Sequence, residues 1–202
     1  MKVSRRGLTP RPGRHRDARL LLVATEDRYA ARQYLEALQD RGLIDRSRVH
    51  VHVLATEDSR SSPEHVLDRL LDLRLELAEA DERWLVLDVD RWPEKTLASV
   101  CRLATQNGVG LAISNPCIEA WLLLHFEDGR PESPCQSSEE QLRKLLGTYN
   151  KTRIPTEPWT HERVTRACER AQAEDNGERW PSKPGSHVQR LIAAARPNRQ
   201  AT

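Results

Sequence analysis

The chain has 202 residues, enough for one domain with a real core or one domain with a small appendage. Hydrophobic residues at 38% and charged ones at 31% describe a globular protein with a polar surface. No apolar run approaches the roughly 20 residues of a membrane span and the N-terminus has no apolar signal core, so a cytoplasmic protein is expected, with no membrane partner. A net charge of +2 does not by itself announce a nucleic-acid partner. The four cysteines, Cys101, Cys117, Cys135 and Cys168, are widely spaced without a C-x-x-C pair. They are expected to be reduced thiols, neither a zinc site nor a disulfide framework.

Residues 1–17 form a basic arm punctuated by Pro and Gly. Lys2, Arg5, Arg6, Arg11, Arg14, Arg16 and the following Arg19 face a single acid, Asp17, and such an arm suits a phosphate backbone as well as it suits bulk water. The run Ala18 to Ala24 reads as a buried strand ending at Thr25-Glu26-Asp27. From Tyr29 to Arg41, Tyr34, Leu35 and Leu38 recur at helical spacing, and Gly42 supplies a stop. Val49 to Leu54 alternates apolar and polar residues, as a strand near a sheet edge does. Ser62 and Pro63 open a helix expected to continue to about Ala80. Trp84-Leu85-Val86-Leu87-Asp88 is a second buried strand, running into Val89-Asp90-Arg91-Trp92. Pro93 starts a helix that Asn107-Gly108 ends, Val109 to Ile113 is a fourth strand, and Ser114-Asn115-Pro116 leads into an apolar helix from Cys117 to Phe126. Beyond Gly129 the segment Arg130 to Pro134 resembles a linker, and helices are expected near 138–146, 160–173 and 186–195, with no strand signal.

Strands alternating with helices of ten or more residues imply an α/β fold with a mostly parallel central sheet of about four strands, covering residues 18–128, and a helical C-terminal region from 129 to 202 packed on it. Such a sheet delivers its strand C-termini to one edge, where ligands bind in open α/β folds. Glu26, Asp88 and Asp90 are expected there. Successive strand side chains alternate, so Asp88 and Asp90 should share one side about 6–7 Å apart at a rise of about 3.3 Å per residue. Carboxylates that close repel, and a shared Mg²⁺ or Mn²⁺ relieves them. Ser114 and Asn115 open the same rim, and Glu119 lies in the first turn of the following helix, where it either satisfies the helix start or sits beside a docked phosphate. Arg91, Lys151, Lys183 and His187 are phosphate-contact candidates, each equally readable as solvated polarity. His125 reads as a hydrogen-bonded core histidine. Trp92, Trp159 and Trp180 suit base stacking and packing equally.

Four blocks together resemble the RloB-like family of Toprim-related proteins from phage-defence loci: Leu21 to Asp27 with Tyr34-Leu35, Val86 to Asp90, Ala112 to Phe126, and more weakly Trp180 to Val188. The third block is the most specific. The resemblance implies a Toprim-like fold and a Mg²⁺- or Mn²⁺-dependent nuclease acting on DNA, RNA or tRNA in antiphage defence, with an ATPase encoded alongside. It places the catalytic set on Glu26, Asp88, Asp90 and Glu119, with Glu26, Asp88 and Asp90 as metal ligands. Where the family usually has Cys-Glu-Gly followed by Thr-Glu, this chain has Thr25-Glu26-Asp27 and then Ala30-Ala31. Either Asp27 is recruited or the centre is weakened, and the second alternative makes the chain a non-catalytic Toprim-like module that binds nucleic acid or protein. A phosphotransfer receiver also carries acids at strand ends, but no late strand-end lysine is found here.

Overall fold

The computed structural model describes residues 18–54 and 61–196; the basic arm lies outside the described residues. In chain order the elements are β1 (Arg19–Thr25), α1 (Ala30–Asp40), β2 (Val49–Leu54), α2 (Pro63–Leu71), β3 (Glu82–Asp88), α3 (Glu94–Gln106), β4 (Val109–Asn115), α4 (Ile118–Leu123), α5 (Cys135–Leu146), α6 (His161–Glu174), β5 (Gly185–Ser186) and α7 (Val188–Ala195). The sheet runs β2-β1-β3-β4-β5. β1, β2, β3 and β4 pair in parallel, and the two-residue β5 adds to β4 antiparallel, with Ser186 opposite Ser114 and Gly185 opposite Asn115. This is the expected α/β fold, Toprim-like in outline, with one more strand than the sequence suggested.

Alternation along β1, β3 and β4 divides the interior into two cores. Leu21, Val23, Trp84, Val86 and Ala112 pack on one face, and Leu22, Ala24, Leu85, Leu87 and Ile113 on the other, against Val66, Leu67 and Leu70 of α2 and Leu97, Val100 and Cys101 of α3. The first core also holds Tyr34 and Leu38 of α1, Trp121 and Leu122 of α4, and from the C-terminal region Leu142, Trp159, Val164, Leu191 and Ile192. The C-terminal helices therefore share the core of the sheet. β2 alternates buried and exposed positions from Val49 to His52 at the sheet margin, as its sequence pattern indicates.

Two elements depart from expectation. α2 stops at Leu71 rather than near Ala80. Leu71, Leu73, Leu75 and Leu77 are spaced by two, which a helix cannot bury on one face, and Leu75 is among the exposed large hydrophobics. β5 was not expected because two residues carry no periodicity; it exists because β4 leaves an unpaired edge.

The expectation of four reduced thiols is corrected at one pair. Cys117, the residue preceding α4, and Cys135, the first of α5, form a disulfide with Cα atoms 5.8 Å apart, while Cys101 and Cys168 are free. The pair lie 18 positions apart in sequence, so no local motif announces it; the packing of α5 on α4 brings the sulfurs together. No described helix is long and apolar enough to cross a membrane.

Two contacts carry tests of this packing. A Cβ on Gly110 would lie 2.6 Å from the Trp84 ring, its cross-strand neighbour. Gly110→Ala is expected to cost about 1–3 kcal/mol in urea unfolding by overpacking, and Trp84→Leu in the same chain should recover part of the loss. The Asp175 carboxylate, just after α6, accepts from Arg190 Nε at 2.8 Å and Nη2 at 2.5 Å, from Gln189 Nε2 at 2.8 Å and from the Gly177 N–H at 3.0 Å. Chiefly through Arg190, its pKa falls from the usual 3.8 to about 2. The folded value lies below the unfolded one, so the clamp contributes fully above about pH 4 and is lost as pH falls toward 2. Asp175→Asn should therefore lower the melting temperature at neutral pH and flatten its acid dependence, read by circular dichroism.

Candidate metal centre

β1 and β3 lie side by side at the point where the connections diverge, β1 leading out to β2 and β3 to β4, so their C-terminal ends flank the crevice in which open α/β sheets bind ligands. Glu26 follows β1 directly. Its N–H continues the ladder to the Val86 carbonyl at 3.1 Å, which brings its side chain against the end of β3. There Oε2 accepts from the Asp88 N–H at 3.3 Å and Oε1 accepts from the Trp92 indole N–H at 2.7 Å. Asp88, last residue of β3, continues the Trp84–Val86 side of the strand and so faces the core shared with α1, α4 and the C-terminal helices.

From that face further charged groups converge. Asp27 Oδ2 accepts from the N–H groups of Tyr29 and Ala31 at 3.0 and 2.9 Å, fastening the start of α1, while its Oδ1 lies 3.5 Å from the Lys151 ammonium. Glu119, in the first turn of α4 and fully buried, accepts from the Tyr149 hydroxyl at 2.8 Å and also lies 3.5 Å from Lys151. Lys151 thus bridges Asp27 and Glu119, and its charge acts on Asp88 as well. Asp27 thus both caps the start of α1 and holds this lysine.

The electrostatics follow from burial. Asp88 is 5% exposed and its pKa is raised well above the ordinary value, first by desolvation, with Lys151 opposing and Glu26, Glu119 and Asp27 adding repulsion. Desolvation likewise lifts Glu26 to about 7 against the hydrogen bonds from Trp92 and the Asp88 N–H. Glu119 is raised by burial, partly offset by Lys151 and Tyr149. Burial disfavours the charge on Lys151, but Glu119, Asp27 and Asp88 outweigh it and hold the ammonium charged.

Asp88 Oδ1 is buried with no hydrogen-bond partner among the described residues. An orphaned buried carboxylate oxygen beside a second acid suits a hard divalent cation, which takes oxygen ligands and, as Mg²⁺, commonly uses one or two protein carboxylates with waters and phosphate oxygens completing its shell. Glu26 and Asp88 fit that donor set. Asp90 does not extend it in this arrangement. β3 ends at Asp88, the N–H of Val89 turns to the carbonyls of Ser114 and Pro116, and that of Asp90 to Pro116, so strand alternation stops one residue short. Asp88 is buried and Asp90 exposed, and the Asp90 carboxylate clusters instead with Cys117 and Cys135, all ligand atoms within 4.8 Å. Glu26, Asp88 and Asp90 form no such trio among the described residues.

The other phosphate candidates are dispersed. Arg91 is exposed at the crevice; burial raises the pKa of both Glu26 and Asp90, and the Arg91 charge partly opposes that rise. The Ser114 hydroxyl is buried against Ser186 Oγ at 2.9 Å, and Asn115 Nδ2 donates to the Pro181 carbonyl at 2.8 Å, so both hold β5 and the loop before it on the sheet. Lys183 is exposed on that loop. His187 is buried, with Nε2 3.6 Å from Asp175. His125 is a core histidine, bonded to the Tyr34 hydroxyl at 2.9 Å and the Trp121 carbonyl at 3.1 Å, its pKa lowered by burial to about 3. Trp159 is fully buried against Tyr34 and His125.

Sequence reasoning missed the role of Trp92, whose indole fixes Glu26; only the turn after Asp88 brings it there. The bond from Tyr149 to Glu119 depends on how α5 returns the chain to the sheet, which no local spacing encodes.

Neither curated proteins nor solved structures offer a match to this chain. A family model described as RloB-like protein matches residues 21–194, a span that takes in Glu26 and Asp88 together with Glu119, Tyr149 and Lys151. The chain therefore belongs to the RloB-like family.

Proposed function

We propose that this chain is a metal-dependent, Toprim-type nuclease that hydrolyses phosphodiester bonds in DNA or RNA as part of an antiphage defence system. The observation that carries the reading is the meeting of Glu26 with Asp88 at the crevice between β1 and β3, with Asp88 Oδ1 left unpartnered. In this reading Glu26 and Asp88 hold Mg²⁺ or Mn²⁺, which when bound supplies Lewis-acid stabilisation of charge on the phosphate. Trp92 keeps one oxygen of Glu26 fixed, so that the carboxylate meets its ligand in one orientation. Asp27, Glu119 and Lys151 set the local charge: the ammonium offsets two of the surrounding carboxylates and limits how strongly the crevice repels a polyanion. Arg91, exposed at the mouth, supplies a positive group for the phosphate backbone. Where Asp88 alone carries the ion, Glu26, with a pKa of about 7, is instead suited to accept a proton from an attacking water.

A second reading is a non-catalytic Toprim-like module binding nucleic acid or protein. Lys151 favours it, because an ammonium among the acids already provides part of the compensation that a cation would bring.

The two readings separate on metal response and activity together. Asp88→Asn and Glu26→Gln are each expected to abolish Mn²⁺-induced thermal stabilisation and metal-dependent cleavage of single-stranded DNA, duplex DNA, RNA or tRNA, while circular dichroism stays unchanged. A wild-type protein indifferent to Mn²⁺, with both variants equally protective against phage, would leave the binding-module reading standing. Lys151→Met removes the counter-charge of Asp27 and Glu119. Metal-free stability in urea should drop by about 1–3 kcal/mol, and saturating Mn²⁺ should narrow the difference; an unchanged midpoint would show that the ammonium does not compensate the acids.

A further inference from the structure

Beside the Glu26–Asp88 pair lies a second cluster of a different chemical kind. Asp90, Cys117 and Cys135 come from three elements, the turn after β3, the residue preceding α4 and the start of α5, and their ligand atoms all lie within 4.8 Å of one another. Cys135 Sγ is also 3.5 Å from Glu119 Oε2. Both cysteines are buried while Asp90 is exposed, so the cluster opens to solvent on the carboxylate side. The two sulfurs form a disulfide here, a bond that thiol-reducing compartments ordinarily keep open. Once reduced, two thiolates and a carboxylate make up the donor set of a borderline-soft ion and not that of Mg²⁺.

We infer that Asp90, Cys117 and Cys135 form a zinc-type site in the reduced protein, for which the disulfide is the oxidised, ion-free form. Reduction by a dithiol breaks the S–S bond: the dithiol closes to its own disulfide, and each cysteine gains one hydrogen. Uptake of Zn²⁺ then releases both thiol protons to solvent and leaves two thiolates and the Asp90 carboxylate on the ion, with water in the fourth position. The ion and the disulfide are exclusive, because the same sulfur electrons serve either bond. In both states α5 is fastened to the start of α4, two residues before Glu119; the reduced, zinc-bound state adds the Asp90 side chain to the backbone bonds that already hold the turn after Asp88. The site is independent of the nuclease reading, since it shares no ligand with Glu26 and Asp88.

The test uses the full chain and Co²⁺ as the spectroscopic stand-in for Zn²⁺. After reduction and removal of the dithiol, the wild type is expected to bind about one equivalent of Co²⁺ with a thiolate-to-cobalt charge-transfer band, displaced by Zn²⁺. The protein oxidised with a small-molecule disulfide should show no band. Cys135→Ser should lose the band, Asp90→Asn should bind more weakly, and Glu26→Gln should keep it in full, whatever that variant does to the Mn²⁺ response. Thermal melts establish that each variant is folded, and Cys117→Ser serves in place of Cys135→Ser if that chain does not fold. A reduced wild type without the charge-transfer band, or a band that survives in both Cys variants or in the oxidised protein, would overturn the inference.

Discussion

Like-charge repulsion inside a covered crevice is the constraint to which the rest of this molecule responds. Glu26, Asp88 and Glu119 are all buried, and Asp27 stands beside them. Desolvation and mutual repulsion both work against their ionisation, and the fold answers with directed groups: the Trp92 indole and Asp88 N–H on Glu26, the Tyr149 hydroxyl on Glu119, and the Lys151 ammonium between Asp27 and Glu119. One oxygen of Asp88 receives no such answer, and that residual is what a cation would fit.

Nearly every compensating group comes from outside the strands that carry the acids. Tyr149 and Lys151 follow α5, and the disulfide ties the beginning of that helix to the beginning of α4. The hydroxyls of Ser186 in β5 and Ser114 share a hydrogen bond, and the carbonyl of Pro181 accepts from the Asn115 amide. The C-terminal region is thus a working part of the centre as well as a share of its core. A sheet with acids at the ends of β1 and β3 but without this region would expose them to water and lose the groups that hold them in place.

The turn after Asp88 divides two chemistries within three residues. Asp88, still in the strand, is directed into the crevice with hard-oxygen neighbours. Asp90, past the strand, stands beside two sulfurs. The Asp-x-Asp pattern suggests one shared ion; the backbone bonds of Val89 and Asp90 to β4 and Pro116 separate its two carboxylates onto different partners.

What the sequence by itself determined is whatever depends on near neighbours along the chain. Buried runs at Leu21, Leu85 and Ile113, helical spacing at Tyr34, Leu35 and Leu38, and the alternation of strands with helices made a parallel sheet legible, because apolar periodicity is a local property. That Glu26 and Asp88 would meet followed too, since parallel strands deliver their C-termini to one edge. Tertiary structure decided the rest: that Lys151 sits between Asp27 and Glu119, that Trp92 holds Glu26, that Ser114 meets Ser186, Asn115 the Pro181 carbonyl and His187 Asp175, and that Cys117 finds Cys135. These are contacts between segments tens of residues apart, set by how helices settle on the sheet, and no spacing within a single segment encodes them.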